Sequence, residues 1–252
     1  GYSNKYSDDL YKYLKSKGYK DDMISQAGLI SIDEKYGVHD KFWNRVMFPI
    51  MDVNSRVIGF GGRVMGDAKP KYLNSPETII FDKSRNLYGL NRARKSRKPY
   101  FLLCEGYMDV ISLHQAGFTN AVASLGTAWS DSQFEQLKKY VSSLCFIPDS
   151  DIAEGKPYGP GFEAVMTNGA AAIRKGFHVT VRELPFAEIP SETEGEVQYT
   201  KNDADSYIRS REDYTSLPEK HFIIWLAQKR FLVAGSMVEE RKCVAEIADL
   251  LR

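Results

Sequence analysis

The sequence predicts an α/β protein: a mostly parallel sheet flanked by helices, preceded by a mixed α+β basic section and followed by a short helical part. Three observations lead to this reading. From residue 100 onward, short apolar runs alternate with segments of helical period, as in strand–helix–strand crossovers. Before residue 99 a helical stretch gives way to hairpin and loop, with a strong excess of Lys and Arg over residues 45–98. From about residue 203 the pattern is helical to the end.

Taken in order, residues 7–30 read as helical, with Leu10, Tyr13 and Leu14 on one face and Gly18 as a break. VMFPIMDVNSRVIGFGGRVM reads as a hairpin turning at 52–55, and DAKPKYLNSPET as a loop carrying two prolines. YFLLCE (100–105) is a buried strand and YMDVISLHQAG a helix closed by Gly117. NAVASL (120–125) is a second strand, followed by a helix over SDSQFEQLKKYVSS with a serine at its start. LCFIP (144–148) is a third strand, FEAVMTNGAAAIRKG a third helix, and FHVTVREL (177–184) a fourth strand. A polar segment, 186–202, precedes the helical part, which includes KHFIIWLAQKRFL.

With 252 residues, 43% hydrophobic and 27% charged, the chain has the make-up of a soluble globular protein with a real core. No apolar stretch approaches the ~18–20 residues a membrane span needs, and no signal-peptide pattern is present. Three widely spaced cysteines, Cys104, Cys145 and Cys243, form neither a disulfide framework nor a zinc knuckle. A reducing, cytoplasmic setting is expected. The absence of an initial methionine and of a final cap signal makes both ends look cut from a longer protein.

A formal net charge of +1 hides an asymmetry. Residues 45–98 carry twelve Lys or Arg against four acids, a local +8 that leaves −7 for the rest. Such a chain is expected to meet a polyanion with one part and hold cations with another.

The acids supply the second half of that expectation. In parallel α/β sheets, chemistry collects at the carboxyl ends of strands. Glu105 ends the first strand, and Asp109 follows one helical turn later. Asp149 and Asp151 end the third strand, side by side on one face of an extended segment. Asp203 and Asp205 open a helix further on. Each has an ordinary alternative: a D-x-D pair also suits solvated loops, Asp203 and Asp205 also suit an N-cap and first turn, and Asp109 also suits an exposed helix face. Glu105, between an apolar strand and a glycine, is harder to place as a solvated acid. Together the six fall at one end of one sheet, where they are tolerable only around cations. Oxygen-only ligands favour Mg²⁺ or Mn²⁺. A pair of such ions about 3.5–4 Å apart is a common device for phosphoryl transfer.

LLCEGYMDVISLHQAG, AVASLGTAWS and CFIPDSD together resemble the Toprim domain of bacterial DnaG-type DNA primases, a module shared more loosely with topoisomerases and some nucleases. RVMFPIMDVNSRVIGFGGRV and PKYLNSPETIIFDKSRNLYGL resemble the N-terminal subdomain specific to the primases. The likeness runs from about 42 to 151 with few breaks and more loosely to about 208. It implies a partial basic N-terminal subdomain over 1–98, a Toprim domain over 99–202 and a partial C-terminal helical subdomain over 203–252. It implies that Glu105, Asp109, Asp149 and Asp151 are catalytic. With Asp203 and Asp205, the later pair usually read as D-P-D, they would hold two or more Mg²⁺ or Mn²⁺ ions. Arg45, Arg63, Lys71, Tyr72, Asn74 and Lys83 match the patch that tracks template DNA and nucleotide phosphates, residue types suited to neutralising, hydrogen-bonding and stacking on a strand.

The implied function is metal-dependent synthesis of short RNA primers from NTPs on single-stranded DNA. The implied partners are a replicative helicase and a zinc-binding module, reached through regions not in this sequence. No membrane partner is implied. Rival readings are a Toprim nuclease or topoisomerase, a non-catalytic nucleic-acid-binding module and, from CFIPDSD alone, a phosphatase. The sequence departs from the family at several points, Pro148 before the D-x-D among them. IAEGKPY (152–158) is inserted after Asp151, Ser150 stands where the family has glycine, Ala204 replaces the proline of D-P-D, and the segment 186–202 is long.

Overall fold

The computed structural model describes residues 1–35, 37–126, 128–151, 158–190 and 197–252, with backbone alone for 188–190 and 197–199. The chain forms two compact units, Gly1–Asn86 and Leu87–Arg252. Most of the insertion after Asp151 (152–157) and part of the polar segment (191–196) lie outside the described residues.

The first unit runs β1 (Tyr2–Ser3), α1 (Asp9–Ser16), α2 (Asp21–Gln26), β2 (Ile30–Asp33), β3 (Gly37–Asp40), β4 (Arg45–Met51), β5 (Val57–Val64) and β6 (Tyr72–Asn74). The expected helix over 7–30 is two helices broken at Gly18, whose φ of +86° only glycine adopts freely. Asp40 accepts the Leu10 and Tyr11 amides at 2.8 Å each, satisfying donors at the start of α1. The hairpin β4–β5 forms as expected. Asp52 closes its turn, accepting the Asn54 and Arg56 amides at 2.9 Å and pairing with the Arg56 guanidinium. The antiparallel sheet has the order β1-β4-β5-β6. Hairpin β2–β3 was not anticipated: its strands are four residues each and lack a clean alternation of polar and apolar side chains.

The second unit contains α3 (Leu90–Ala93), β7 (Tyr100–Cys104), α4 (Tyr107–Gln115), β8 (Ala121–Ala123), α5 (Asp131–Lys138), β9 (Ser143–Phe146), α6 (Pro160–Arg174) and β10 (His178–Arg182). It continues through β11 (Ala187–Pro190), β12 (Val197–Thr200), α7 (Ala204–Tyr207), α8 (Arg211–Ser216), β13 (Glu219–His221), α9 (Phe222–Val233) and α10 (Met237–Leu250). The alternation read from the sequence is realised: β10, β9, β7 and β8 are parallel neighbours. Leu102, Leu103, Leu144, Val179 and Val181 are buried along the sheet. Ser130 and Gln133 cap each other's backbone at the start of α5. Gly169 of α6 lies against Phe222 so closely that a Cβ would stand 2.1 Å from the ring, so its small size lets α9 seat.

Two stretches of this unit differ from expectation. Lys220 and His221, read as the start of a helix, belong to β13, an antiparallel edge strand on β10. The Arg182–Glu219 ion pair at 2.7 Å ties the two strands. Within the polar segment, β11 and β12 pair as an antiparallel hairpin, Ala187 opposite Thr200. Among the described residues no helix is long and apolar enough to cross a membrane.

Candidate active site

The sheet order is β13-β10-β9-β7-β8. From β7 the chain passes to β8 on one side and returns to β9 on the other. The order therefore reverses between β7 and β9, the switch point at which diverging loops leave a crevice beyond the strand ends. Leu103 is level with Phe146, and the Ile147 amide bonds to the Leu103 carbonyl at 3.0 Å. Glu105 and the 149–151 segment thus emerge side by side into that crevice.

The Asp149 amide approaches Glu105 Oε1 at 3.5 Å. Asp151 Oδ1 accepts the Gly161 amide at 3.1 Å, at the N-terminus of α6. A Cβ at Gly161 would stand 2.7 Å from the Asp149 carbonyl oxygen and 2.8 Å from Glu105 Oε1, so only glycine leaves this space open. On the other side of the crevice Asp109 is buried and spends both oxygens on backbone. Oδ2 accepts the Gly106 amide at 3.0 Å and Oδ1 the Asp205 amide at 3.1 Å. Asp205 accepts the Ser112 hydroxyl at 2.5 Å, while Asp203 caps α7 by accepting the Ser206 amide at 2.8 Å.

The two acidic loops are latched together. Ser150 is fully buried; its amide bonds to the Asn202 carbonyl at 2.9 Å, and its hydroxyl accepts the Asn202 amide at 3.1 Å. The Ser150 hydroxyl and the Asn202 side-chain amide both donate to the Pro185 carbonyl, at 3.1 Å each. This antiparallel bridge brings the 149–151 and 201–203 segments alongside each other. The Lys201 ammonium pairs with Asp149 Oδ2.

Crowded carboxylates hold their protons. Burial, then the charge of Asp149, pushes Glu105 up to about 7, against the pull of Lys201. Burial and Asp149 likewise push Asp109 up to about 7. Asp149 is raised by burial despite its bond to Lys201. The donor set, oxygen alone and short of positive charge, fits a hard divalent cation. As the side chains stand, no three acids among the described residues close on a single point. Lys201 holds Asp149, and Asp109 and Asp205 are engaged with their neighbours.

In the first unit, pairing Arg63 with Tyr72 and Gly61 with Asn74 puts Arg63, Tyr72 and Asn74 on one face of the sheet. The Arg63 guanidinium lies 5.7 Å and the Lys71 ammonium 5.9 Å from the centre of the Tyr72 ring, an exposed aromatic between two cations. Lys83 lies further along, its amide bonded to Glu77 at 3.1 Å. Arg45 is different. It is buried on the opposite face, donating to the carbonyls of Gly62 at 3.3 Å and Pro70 at 2.9 Å.

Against known proteins, residues 1–94 match the family model "DNA primase catalytic core, N-terminal domain", and residues 102–188 match "Toprim-like". A solved DNA primase domain from Pseudomonas aeruginosa is 34% identical, with a TM-score of 0.77, covering all of this chain and 76% of that one. The chain belongs to the DnaG-type DNA primase family. A DnaG primase catalytic domain solved bound to single-stranded DNA is 29% identical, with a TM-score of 0.77 over all of this chain and 78% of that chain. The DNA primase of Clostridium acetobutylicum is 42% identical over all of this chain. This chain spans 40% of that relative's length.

Sequence reasoning missed three features of the crevice. Lys201 stands two residues before the 203/205 pair, but nothing in that run marks it as the partner of Asp149. The Ser150–Asn202 latch joins residues 52 apart. Gly161 carried a signal, the GPG run at the start of α6, where proline suits the first helical position and the flanking glycines leave room for the acids.

Proposed function

We propose that this chain is the catalytic core of a DNA primase, synthesising short RNA primers from NTPs on a single-stranded DNA template. The observation that carries the reading is the emergence of Glu105 and of the 149–151 segment side by side from the ends of two adjacent parallel strands, where the sheet order reverses. Mg²⁺ or Mn²⁺, two or more ions, held by Glu105, Asp109, Asp149, Asp151, Asp203 and Asp205, would supply polarisation of the α-phosphate and of the leaving oxygen. Glu105, raised to about 7 by burial and by the charge of Asp149, suits either accepting the proton of the primer 3′-hydroxyl or orienting that group. Asp109 positions rather than reacts, holding the start of α4 and the Asp205 backbone in register.

Arg63 and Lys71 neutralise template phosphates, and Tyr72 between them offers a stacking face for a base. Asn74 on the same face and Lys83 extend this surface. Arg45 supports it from within by fixing β4, β5 and the loop at Pro70. The working division is a basic subdomain to 98, a Toprim domain to 202 and a helical subdomain beyond. A zinc-binding module and a replicative helicase would act through parts of the longer relatives outside this span, in the cytoplasm. A DnaG catalytic domain bound to single-stranded DNA supports the choice of template.

The test is incubation with single-stranded DNA, labelled NTPs and Mg²⁺ or Mn²⁺, comparing the wild type with Asp149→Ala. Labelled RNA in the wild type alone is expected. Nicked DNA without NTPs, or DNA binding with no product, overturns the proposal.

A further inference from the structure

We propose that Lys201 is a built-in counter-ion of the acidic crevice, holding the place at Asp149 that a divalent cation takes, so that metal binds by exchange against this side chain. The proposal rests on the metal-dependent function above and adds how the metal-free site is kept intact.

The geometry is that of a tethered cation. Asp149 is almost fully enclosed, its side chain 8% exposed, while Lys201 is 48% exposed. The lysine therefore reaches in from the solvent edge and can swing back out. Its backbone is not free to drift: the next residue, Asn202, is bonded through both amide and carbonyl to buried Ser150 between the two aspartates. The charge of Asp151 also acts on the Lys201 ammonium. Its positive charge opposes the upward pull on Glu105, so one ammonium serves the D-x-D pair and the strand-end glutamate together. Among the described residues the other cation at these six acids is Arg209, 3.9 Å from Asp205 across the crevice.

Buried like charges repel unless a cation stands among them. In the metal-free protein Lys201 is that cation. A metal ion and an ammonium compete for the same carboxylate oxygen, because a lysine nitrogen bearing three protons is no ligand. The flexible four-carbon stem, reaching in from the solvent edge, makes the exchange reversible. Two consequences follow in opposite directions: Lys201 stabilises the empty crevice, and it weakens the metal.

The experiment measures Mn²⁺ binding to this chain by the loss of the free-ion paramagnetic resonance signal, together with thermal melting in EDTA. Variants are Lys201→Met, which keeps the stem and removes the charge, Lys201→Arg, and Asp149→Ala. Lys201→Gln replaces the methionine variant if that does not fold. Lys201→Met is expected to bind Mn²⁺ about tenfold more tightly than wild type, the order expected when one unit charge beside the ion is removed. It should also melt lower in EDTA and regain wild-type melting with Mn²⁺. Lys201→Arg should bind as wild type does. Unchanged or weaker Mn²⁺ binding in the neutral variant, with wild-type binding that Asp149→Ala abolishes, overturns the role of Lys201 alone. A wild type that binds no Mn²⁺ overturns the metal-dependent function itself.

Discussion

Replacing Gly161 by alanine adds one methyl group between the Asp149 backbone and the Glu105 carboxylate. That carbon would stand 2.7 Å from the Asp149 carbonyl oxygen, 2.8 Å from Glu105 Oε1 and 3.2 Å from Asp151 Oδ1. A carbon–oxygen contact settles at ~3.3 Å or more, so the backbone of Asp149 or the start of α6 must yield by about 0.6 Å. Glu105 can swing away; a backbone carbonyl cannot. Displacements of ~1 Å at a reacting centre cost ~100-fold in rate, so primer synthesis is expected to fall about 10- to 100-fold. The free-energy cost to stability should be of similar size, about 1–2 kcal/mol, too small to unfold the chain. Overpacking costs ~1–3 kcal/mol, while alanine in a helix is better than glycine by up to ~1 kcal/mol. The melting temperature is expected to fall by no more than about 10 °C, at about 2–4 °C per kcal/mol for a chain of this size. The assay pairs a thermal melt with labelled-NTP incorporation on single-stranded DNA. A variant that makes primers at the wild-type rate would refute the claim that Glu105 and the 149–151 backbone must keep their spacing.

Ser150→Ala removes the hydroxyl shared by the Asn202 amide and the Pro185 carbonyl, and should cost ~1–3 kcal/mol in a denaturant melt while also weakening Mn²⁺ binding. Burial raises Asp109 in the folded state to about 7 from an ordinary value near 3.8, and Glu105 moves the same way. Between pH 5 and 7 the folded metal-free chain therefore holds protons that the unfolded chain has lost. Its stability should fall as pH rises through this window and level off above about 7, by on the order of a few kcal/mol in EDTA. Saturating Mg²⁺ should flatten the profile; thermal melts across pH with and without metal check both. Arg63→Ala and Tyr72→Ala should weaken single-stranded DNA binding, the first with a slope against log salt smaller by about 0.7 and the second by ~1–3 kcal/mol. Arg45→Ala should instead lower the melting temperature, because its guanidinium is spent on the Gly62 and Pro70 carbonyls.

Much of the second unit was legible because its information is local. Apolar runs of strand length, separated by segments with Ser130 at one end or Gly117 at the other, fix β7 to β10 and the helices between them. Glu105 and the 149–151 pair could be assigned to strand ends from the same pattern. What joins residues far apart was not legible. The latch from Ser150 to Asn202, the Asp109–Asp205 bond and the reach of Lys201 depend on how the polar segment returns to the sheet, and no periodicity records that path. Strand β13 was hidden for a related reason. Its three residues, Glu219–His221, run into the apolar start of α9, and pairing with β10 decides their conformation. Arg45 carries the same charge signal as Arg63, yet alternation along β4 and β5 turns the two to opposite faces.

The central claim, that the acids at the β7–β9 switch point perform template-directed nucleotidyl transfer, is tested most directly by single-nucleotide extension. An RNA primer annealed to single-stranded DNA presents a 3′-hydroxyl and a defined next template base, bypassing any preferred start sequence. Each NTP is offered separately with Mn²⁺, and the primer is resolved at single-nucleotide length. Extension by one nucleotide with the complementary NTP alone, absent in Asp149→Ala, is the predicted result. Extension that ignores the template base, or that persists without Asp149, would contradict the account.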